Sequence, residues 1–459
     1  MALFSVPRVV ISSHRGGAGK TIFTLLLISI LKERGFQVAP FKKGPDYIDA
    51  GWLGRAAQKP CRNLDLFLFD AEYNLYSFYK GCQNCDVAII EGNRGLFDGV
   101  DIEGSCSTES LAKLLKAPVI LVLDCTKATR SMAALLKGFI EFDPEVQIKG
   151  VILNNVANPR HESIIRGSIE KYTEVSVLGV IPRLKEVVKE RHLGLITYFE
   201  KDLNFLDSLK DKVVNNVDID KIIEIAKSSP ELHISENMEV IKKEFKLKIG
   251  VFLDPAFQFY YPENLESLLN HGAEPIFINS LEESKIPSDL AGLYLGGGFP
   301  EIYAEKLAEN EELRREIKYL VEAGMPIYAE CGGLMFLGEE IEWQEKKFPM
   351  AGVLPLKFKI SKKPYGHGYV IAKVINYNPY FKVGDTIKGH EFHYSYPYQM
   401  EIKKDMHLVF QLEKGVGLDG RFDGLSYKNL LACYTHIHVF SVKYWAENFL
   451  KLAEEFLNS

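Results

Sequence analysis

The residues best placed to do covalent chemistry in this chain are Cys331 and its neighbours. Met325 to Leu337 reads Met-Pro-Ile-Tyr-Ala-Glu-Cys-Gly-Gly-Leu-Met-Phe-Leu. That is a short strand, a cysteine, two glycines and the start of an apolar helix. A cysteine on a sharp strand-to-helix turn has its sulfur pushed out of the sheet, where helix-terminal N–H groups can hold a thiolate and an oxyanion. Such a nucleophile needs a base, and Ala432-Cys433-Tyr434-Thr435-His436-Ile437-His438 offers His436 at the end of an apolar strand. Upstream, the strand Gly292 to Leu295 ends in Gly296-Gly297-Gly298-Phe299-Pro300-Glu301. The N–H groups of Gly297, Gly298 and Gly332 are the expected donors to the oxyanion. A lone cysteine in such a setting is more often a core residue, but three stretches in order favour the nucleophile.

A second constellation lies at the N-terminus. The strand Arg8 to Ser13 precedes His14-Arg15-Gly16-Gly17-Ala18-Gly19-Lys20-Thr21 and an apolar helix from Ile22 to Leu31. Backbone N–H groups around Gly16, Gly17 and Gly19 suit phosphates, Lys20 reaches the terminal phosphate, and Thr21 suits Mg²⁺, the chemistry of an ATP site. His14 stands where the usual pattern has its first glycine. After a second strand, Lys42-Lys43-Gly44-Pro45-Asp46-Tyr47-Ile48-Asp49 brings two acids and two lysines to a strand end, where open α/β sheets place ligands. The strand Asp86 to Ile90 ends in Glu91, the expected second acid on the Mg²⁺ side. Arg94, in the loop that follows, either reads a substrate carboxylate bidentately or is a solvated loop charge.

These stretches resemble a known family. Gly-Gly-Gly-Phe-Pro-Glu, Glu-Cys-Gly-Gly and Thr-His-Ile-His resemble the class I glutamine amidotransferases in the variant found in corrinoid amidating enzymes. The Gly-Gly-x-Gly-Lys-Thr loop resembles the dethiobiotin synthetase and MinD-like branch of P-loop proteins. Lys-x-Gly-Pro-Asp-Tyr-Ile-Asp, Asn63-Leu64-Asp65, the Gly-Leu-Phe-Asp-Gly loop holding Asp98, and Glu190-Arg191-His192-Leu193-Gly194-Leu195 resemble the cobyrinic acid a,c-diamide synthase and cobyric acid synthase families. The resemblance implies that Asp46 and Asp49 serve Mg²⁺ and the phosphorylated carboxylate, and that Tyr47 and Ile48 shape the substrate pocket beside Asp98. Asn154 and Asn155 lie where P-loop relatives of this branch contact adenine. His192 is expected to be structural or substrate-adjacent. Most class I amidotransferases carry a glutamate two residues after the histidine, and here that place is His438. The resemblance therefore leaves the residue that orients His436 unassigned, and implies slow glutamine hydrolysis until the other site is loaded.

The joint implication is carboxylate amidation: ATP activates a carboxylate, and ammonia from L-glutamine displaces phosphate. The resemblance points to the a and c acetate groups of cobyrinic acid or a related tetrapyrrole. The alternatives are amidation of nickel-sirohydrochlorin on the coenzyme F430 pathway, the cobyric acid synthase reaction, and a MinD-like ATPase switch with an inactive amidotransferase module. An enclosed path for ammonia is expected where the two domains meet.

The elements that must position these groups follow from size and pattern. At 459 residues the chain is too long for one comfortable core. Repeated strand–helix units predict an α/β fold, a doubly wound parallel P-loop sheet followed by an amidotransferase-like α/β domain. The expected boundaries are 1–198 for the ATP and substrate domain, 199–246 for a helical connector and 247–459 for the amidotransferase domain. A net charge of -6 without a long basic run gives no reason to expect nucleic acid. No apolar run approaches the roughly 20 residues that span a bilayer, and no signal peptide is visible, so a cytoplasmic protein is expected, with a homodimer as the candidate assembly. Seven cysteines without secretory signals read as thiols. Cys82-Gln83-Asn84-Cys85 is one ligand pair short of a zinc site. The histidines of Lys388 to Ser395 lack the helical spacing of a zincin.

Overall fold

The structure, a computed structural model, describes residues 2–183, 196–200, 202–235, 238 and 245–459. The expected Glu190 to Leu195 block, His192 included, lies outside the described residues. The chain divides into two compact units, Met1–Met238 and Glu239–Ser459.

The first unit opens with a short strand, β1 (Ala2–Phe4), and then β2 (Arg8–Ser13), α1 (Lys20–Glu33), β3 (Val38–Lys43), α2 (Tyr47–Ala57), β4 (Arg62–Leu64), α3 (Ala71–Gly81), β5 (Val87–Glu91) and α4 (Thr108–Leu114). It continues through β6 (Val119–Asp124), α5 (Ser131–Phe142), β7 (Ile148–Val156), α6 (Pro159–Tyr172), β8 (Ser176–Pro182), α7 (Asp207–Asn216), α8 (Ile219–Lys227) and β9 (Leu232–Ile234). The main sheet has the order β4-β3-β5-β2-β6-β7-β8, and its pairings are all parallel. Strands β2, β3 and β5 are buried along their whole length, as expected of parallel strands covered by helices on both faces.

The order reverses beside β2, so the carboxyl ends of β3, β5, β2, β6 and β7 lie in a row, the place where such sheets bind ligands. Helix starts are fixed by side-chain caps: Asp46 accepts from Asp49 N, Asp70 from Tyr73 N and Asn158 from His161 N. The stretch expected as a connector contributes α7, α8 and β9, and β9 pairs antiparallel with β1. Buried Arg8 ties this stretch to the sheet, its guanidinium donating to the carbonyls of Leu115, Val6 and Pro230.

The second unit begins with β10 (Leu247–Phe252), α9 (Pro262–Asn270), β11 (Ala273–Ile278), β12 (Gly292–Leu295), α10 (Ala304–Glu309), α11 (Glu311–Glu322), β13 (Ile327–Glu330) and α12 (Gly332–Leu337). Strands β14 (Glu340–Trp343), β15 (Lys346–Pro349), β16 (Leu356–Ile360), β17 (Gly366–Val374), β18 (Thr386–His393) and β19 (Ser395–Met400) follow. The unit closes with β20 (Met406–Lys414), β21 (Phe422–Tyr427), β22 (Leu430–Cys433), β23 (His436–Ile437) and α13 (Trp445–Leu457). Ten strands form one mixed sheet, β11-β10-β12-β13-β22-β21-β20-β17-β18-β23, and β15-β14-β16-β19 form a smaller one. The parallel part, β11 to β22, carries Cys331 at the end of β13. The antiparallel part returns β18 alongside β23, with His390 directly opposite His436.

Candidate active sites

In the first unit, α1 begins directly after Gly19, whose φ of 96° is cheap only for glycine. A Cβ there would lie 2.2 Å from Asn154 Nδ2. No side chain caps this helix, so its first N–H groups and its dipole are directed at an anion site. Lys20 is buried, and its ammonium donates to Arg94 O at 2.7 Å, Ser13 Oγ at 3.0 Å and Arg15 O at 3.4 Å. Burial, reinforced by the charge of Lys42, pulls Lys20 down to about 8. A phosphate would restore the charge that these neutral partners do not balance.

Beside it lies an acid–lysine hub. Lys42, 2% exposed, donates to Asp49 Oδ2 at 2.6 Å and Glu91 Oε1 at 2.8 Å. Thr21 Oγ1 donates to Glu91 Oε1 at 2.8 Å and lies 3.5 Å from Asp49 Oδ2. Burial opposes the charge on Lys42, but Asp49 and Glu91 outweigh it and hold its pKa above the usual value. Asp46 is turned to cap α2 through Oδ1, at 2.8 Å from Asp49 N. Burial and the nearby Asp49 charge push its carboxyl up to about 7. The hydroxyl and carboxylates of Thr21, Asp49 and Glu91 are the oxygen donors that Mg²⁺ prefers, and Glu91 Oε2 is buried with no hydrogen-bond partner among the described residues. Among the described residues no group of three His, Cys, Asp or Glu side chains is arranged to hold a metal by itself.

The remaining predicted residues of this unit surround the same row of strand ends. Asn154 Nδ2 donates to Ala18 O at 2.9 Å, bracing the phosphate loop, and Asn155 Nδ2 donates to Asp124 Oδ1 at 3.0 Å. Asp124 also pairs with Arg15. Gly16 and Gly17 are in the loop, and a Cβ at either would meet nothing within 4 Å. Burial, and then the charge of Arg15, lowers the pKa of His14. Asp98 Oδ2 accepts from Gly95 N at 2.8 Å and closes the loop after β5. Arg94 has a φ of 51°, its carbonyl serves Lys20, and its exposed side chain makes no hydrogen bond or ion pair among the described residues. Tyr47 opens α2 half-buried and Ile48 is buried behind it.

In the second unit, Cys331 has φ 46° and ψ −94°, a strained conformation for a residue with a Cβ. The strain is held from both sides, because Cys331 N donates to Cys433 O at 2.7 Å and Met335 N to Cys331 O at 3.1 Å. The thiol lies 4.0 Å from Phe392 O. Burial and the charges of Glu301 and Glu330 push the thiol well above its ordinary value, with the Gly332 N–H acting in the other direction. Burial first, and then the carboxylates of Glu301 and Glu330, outweigh the Gly332 N–H, so the start of the short helix α12 does not by itself favour a thiolate at Cys331. The glycine turn is close by. A Cβ on Gly332 would lie 3.0 Å from Gly298 N, and a Cβ on Gly297 would lie 2.4 Å from His436 Cε1 and 3.2 Å from its Nε2.

His436 is held on every side. Its Nδ1 lies 3.5 Å from Glu330 Oε2, and its ring stacks on His390 at 4.9 Å. Glu330 is wholly buried; it accepts from Tyr294 Oη at 3.1 Å and Ile437 N at 3.0 Å. His438 turns to another acid, its Nε2 standing 3.5 Å from Glu263 Oε2. The strand end itself is gripped by Asp423, which accepts from Tyr434 N, Thr435 N and Thr435 Oγ1.

Residues 9–195 match the CobQ/CobB/MinD/ParA nucleotide binding domain, and residues 248–444 match the CobB/CobQ-like glutamine amidotransferase domain. Cobyrinate a,c-diamide synthase of Archaeoglobus fulgidus is 43% identical over 98% of both chains. The enzymes of that name from Magnetococcus marinus and Caldanaerobacter subterraneus are 41% identical over 96% of both chains, and 38% identical over 97% of this chain and 98% of the other. The chain belongs to the cobyrinate a,c-diamide synthase family. These relatives favour the corrinoid reading over the nickel-sirohydrochlorin and ATPase-switch alternatives.

In this diamide synthase family member the fold brings three residues to the sites that the sequence pattern does not single out as site groups: Lys42, Glu330 and His390. Lys42 is the centre of the acid cluster, and its signal was a lysine inside the apolar run Val38–Lys43. Of the two predicted acids, Asp49 is the one that the structure joins to Thr21, while Asp46 caps α2. Glu330, an acid in the buried strand next to the nucleophile, is the partner of His436. His390, set aside there as a zinc ligand, faces His436 across a strand pair.

Proposed function

We propose that this chain amidates the a and c acetate carboxylates of cobyrinic acid, using ATP and L-glutamine. The alignment with a cobyrinate a,c-diamide synthase over 98% of both chains, spanning the Lys20 and the Cys331 sites together, is the observation that carries the reading.

At the first site a substrate carboxylate oxygen attacks the terminal phosphorus of ATP, the bond to ADP breaks, and an acyl phosphate forms. Lys20 and the N–H groups around Gly16, Gly17 and Gly19 hold the phosphates, and Asn154 braces their loop. Thr21, Asp49 and Glu91, with Asp46 nearby, would hold Mg²⁺, which when bound neutralises phosphate charge. Lys42, kept protonated by Asp49 and Glu91, stands ready to counter charge on the transferred group. Asp98, Tyr47, Ile48 and Arg94 line the substrate side. Ammonia then attacks the acyl carbon, the bond to phosphate breaks, and a proton leaves with the amide in place.

At the second site Cys331 Sγ attacks the side-chain amide carbon of glutamine while His436 takes the thiol proton. The N–H groups of Gly297, Gly298 and Gly332 stabilise the oxyanion. His436 returns the proton to the leaving ammonia, and water hydrolyses the thioester. Burial favours the protonated thiol at Cys331, so its deprotonation is coupled to substrate attack, which suits slow hydrolysis of glutamine alone. ATP and glutamine are drawn from the cytoplasm, where we place the reaction.

The test is mass spectrometry after incubation with ATP, Mg²⁺, glutamine and cobyrinic acid. Two amides gained, lost in Cys331→Ala with glutamine but kept with free ammonia, is the expected result. No amidation from either nitrogen source would overturn the reading.

A further inference from the structure

We infer that Glu330, the residue immediately before the nucleophile, is the positioning residue of His436 and takes the place of the acid missing at position 438. The inference rests on the glutaminase reading above.

The geometry carries it. Glu330 Oε2 is 3.5 Å from His436 Nδ1, an ion-pair distance of the kind that tightens once a reaction charges the imidazole. The same carboxylate accepts from Ile437 N through Oε1 at 3.0 Å, so it grips the backbone beside the histidine as well as the ring. Tyr294 Oη donates to the same Oε2 at 3.1 Å, which fixes the oxygen that faces the histidine. Glu330 has no solvent exposure, and water therefore does not compete for it. A carboxylate at Nδ1 selects the Nδ1–H tautomer and leaves the lone pair on Nε2, while the Cε1 edge between the two nitrogens faces Gly297.

The residue two after His436 does not compete for this role. His438 directs Nε2 to Glu263 at 3.5 Å and packs its ring on Tyr261 at 4.7 Å. His390, stacked on His436, has its own Nδ1 beside Tyr261 Oη at 3.1 Å. Placing the acid on the nucleophile's own strand moves both partners of the histidine to one backbone segment. Cys331 and the acid that aims its base are then set by a single strand-to-helix turn.

Glu330→Gln keeps the shape and the acceptor for Ile437 N but removes the charge and presents an amide N–H toward Nδ1. Glutamine-dependent kcat should fall about a hundredfold to a thousandfold, with KM for glutamine nearly unchanged and ammonia-dependent amidation retained. Glu330→Asp, which keeps the charge one methylene short, should recover part of the loss. A purely structural role predicts the reverse order, with the isosteric Gln variant active and Asp impaired. Glutamine-dependent kcat within about threefold of wild type in Glu330→Gln would overturn the inference, since acid–base positioning is worth far more than that. If neither variant folds, ¹⁵N NMR of the histidine-labelled full chain, with His436 assigned through His436→Gln, decides. Nδ1–H on neutral His436 supports the inference and Nε2–H overturns it. Wild-type protein that releases no ammonia from glutamine would instead refute the glutaminase reading itself.

Discussion

Gly297→Ala separates a designed close approach from a permissive turn. The added methyl would lie 2.4 Å from His436 Cε1, and carbon atoms settle about 3.5–4.0 Å apart. The imidazole must therefore withdraw by about 1 Å or the turn must open by as much. Withdrawal is blocked because His436 is buried, stacked on His390 at 4.9 Å and paired to Glu330 at 3.5 Å. A displacement of about 1 Å in a catalytic group costs roughly a hundredfold in rate, and overpacking of a buried site costs about 1–3 kcal/mol of stability. The assay is glutamine-dependent against ammonia-dependent amidation in the same preparation, with thermal unfolding alongside. Glutamine-dependent kcat should fall roughly a hundredfold while the ammonia-dependent rate holds. A variant that keeps kcat within about threefold, well short of what such misplacement costs, would refute the claim that His436 packs against this glycine during turnover.

Lys42→Met should leave the buried Glu91 and Asp49 carboxylates facing each other without a counter-charge. Breaking a buried pair costs about 3–5 kcal/mol, and the partial exposure of Asp49 puts the expectation near the low end; urea unfolding reads it, and amidation should be lost with either nitrogen source. Asp46, which burial and the nearby Asp49 charge push from 3.8 up to about 7, should lose its proton as Mg²⁺ binds beside it. Its raised pKa lowers stability as pH rises from its unfolded value towards 7, and over the same window apparent Mg²⁺ affinity should strengthen, by up to about tenfold per pH unit, levelling above 7. Magnesium titrations of amidation across that window check this, and Asp46→Asn, which can still cap α2, should flatten the curve. Arg8→Ala would strip three carbonyls of their donor. At about 1–3 kcal/mol for each unsatisfied acceptor, a loss of several kcal/mol is expected in a thermal melt.

The chemistry written in local turns was legible from the sequence. Gly-Gly-Ala-Gly-Lys-Thr between a strand and a helix could only be a loop with free N–H groups at its helix end, because glycine spacing and helix capping are properties of neighbouring residues. The Cys331 turn was legible for the same reason, as was the alternation of strands and helices that makes the parallel sheet. The tertiary structure decided which side chains those turns present to one another. Lys42 and Glu91 meet because β3 and β5 pair in that register, and Asp49 reaches Thr21 while Asp46 caps its own helix. Glu330 meets His436 across 106 positions of chain, and β9 returns to β1 from the far end of the first unit. Such partnerships depend on strand order and on which face each residue occupies. Burial then makes them strong by removing the water that would otherwise screen them.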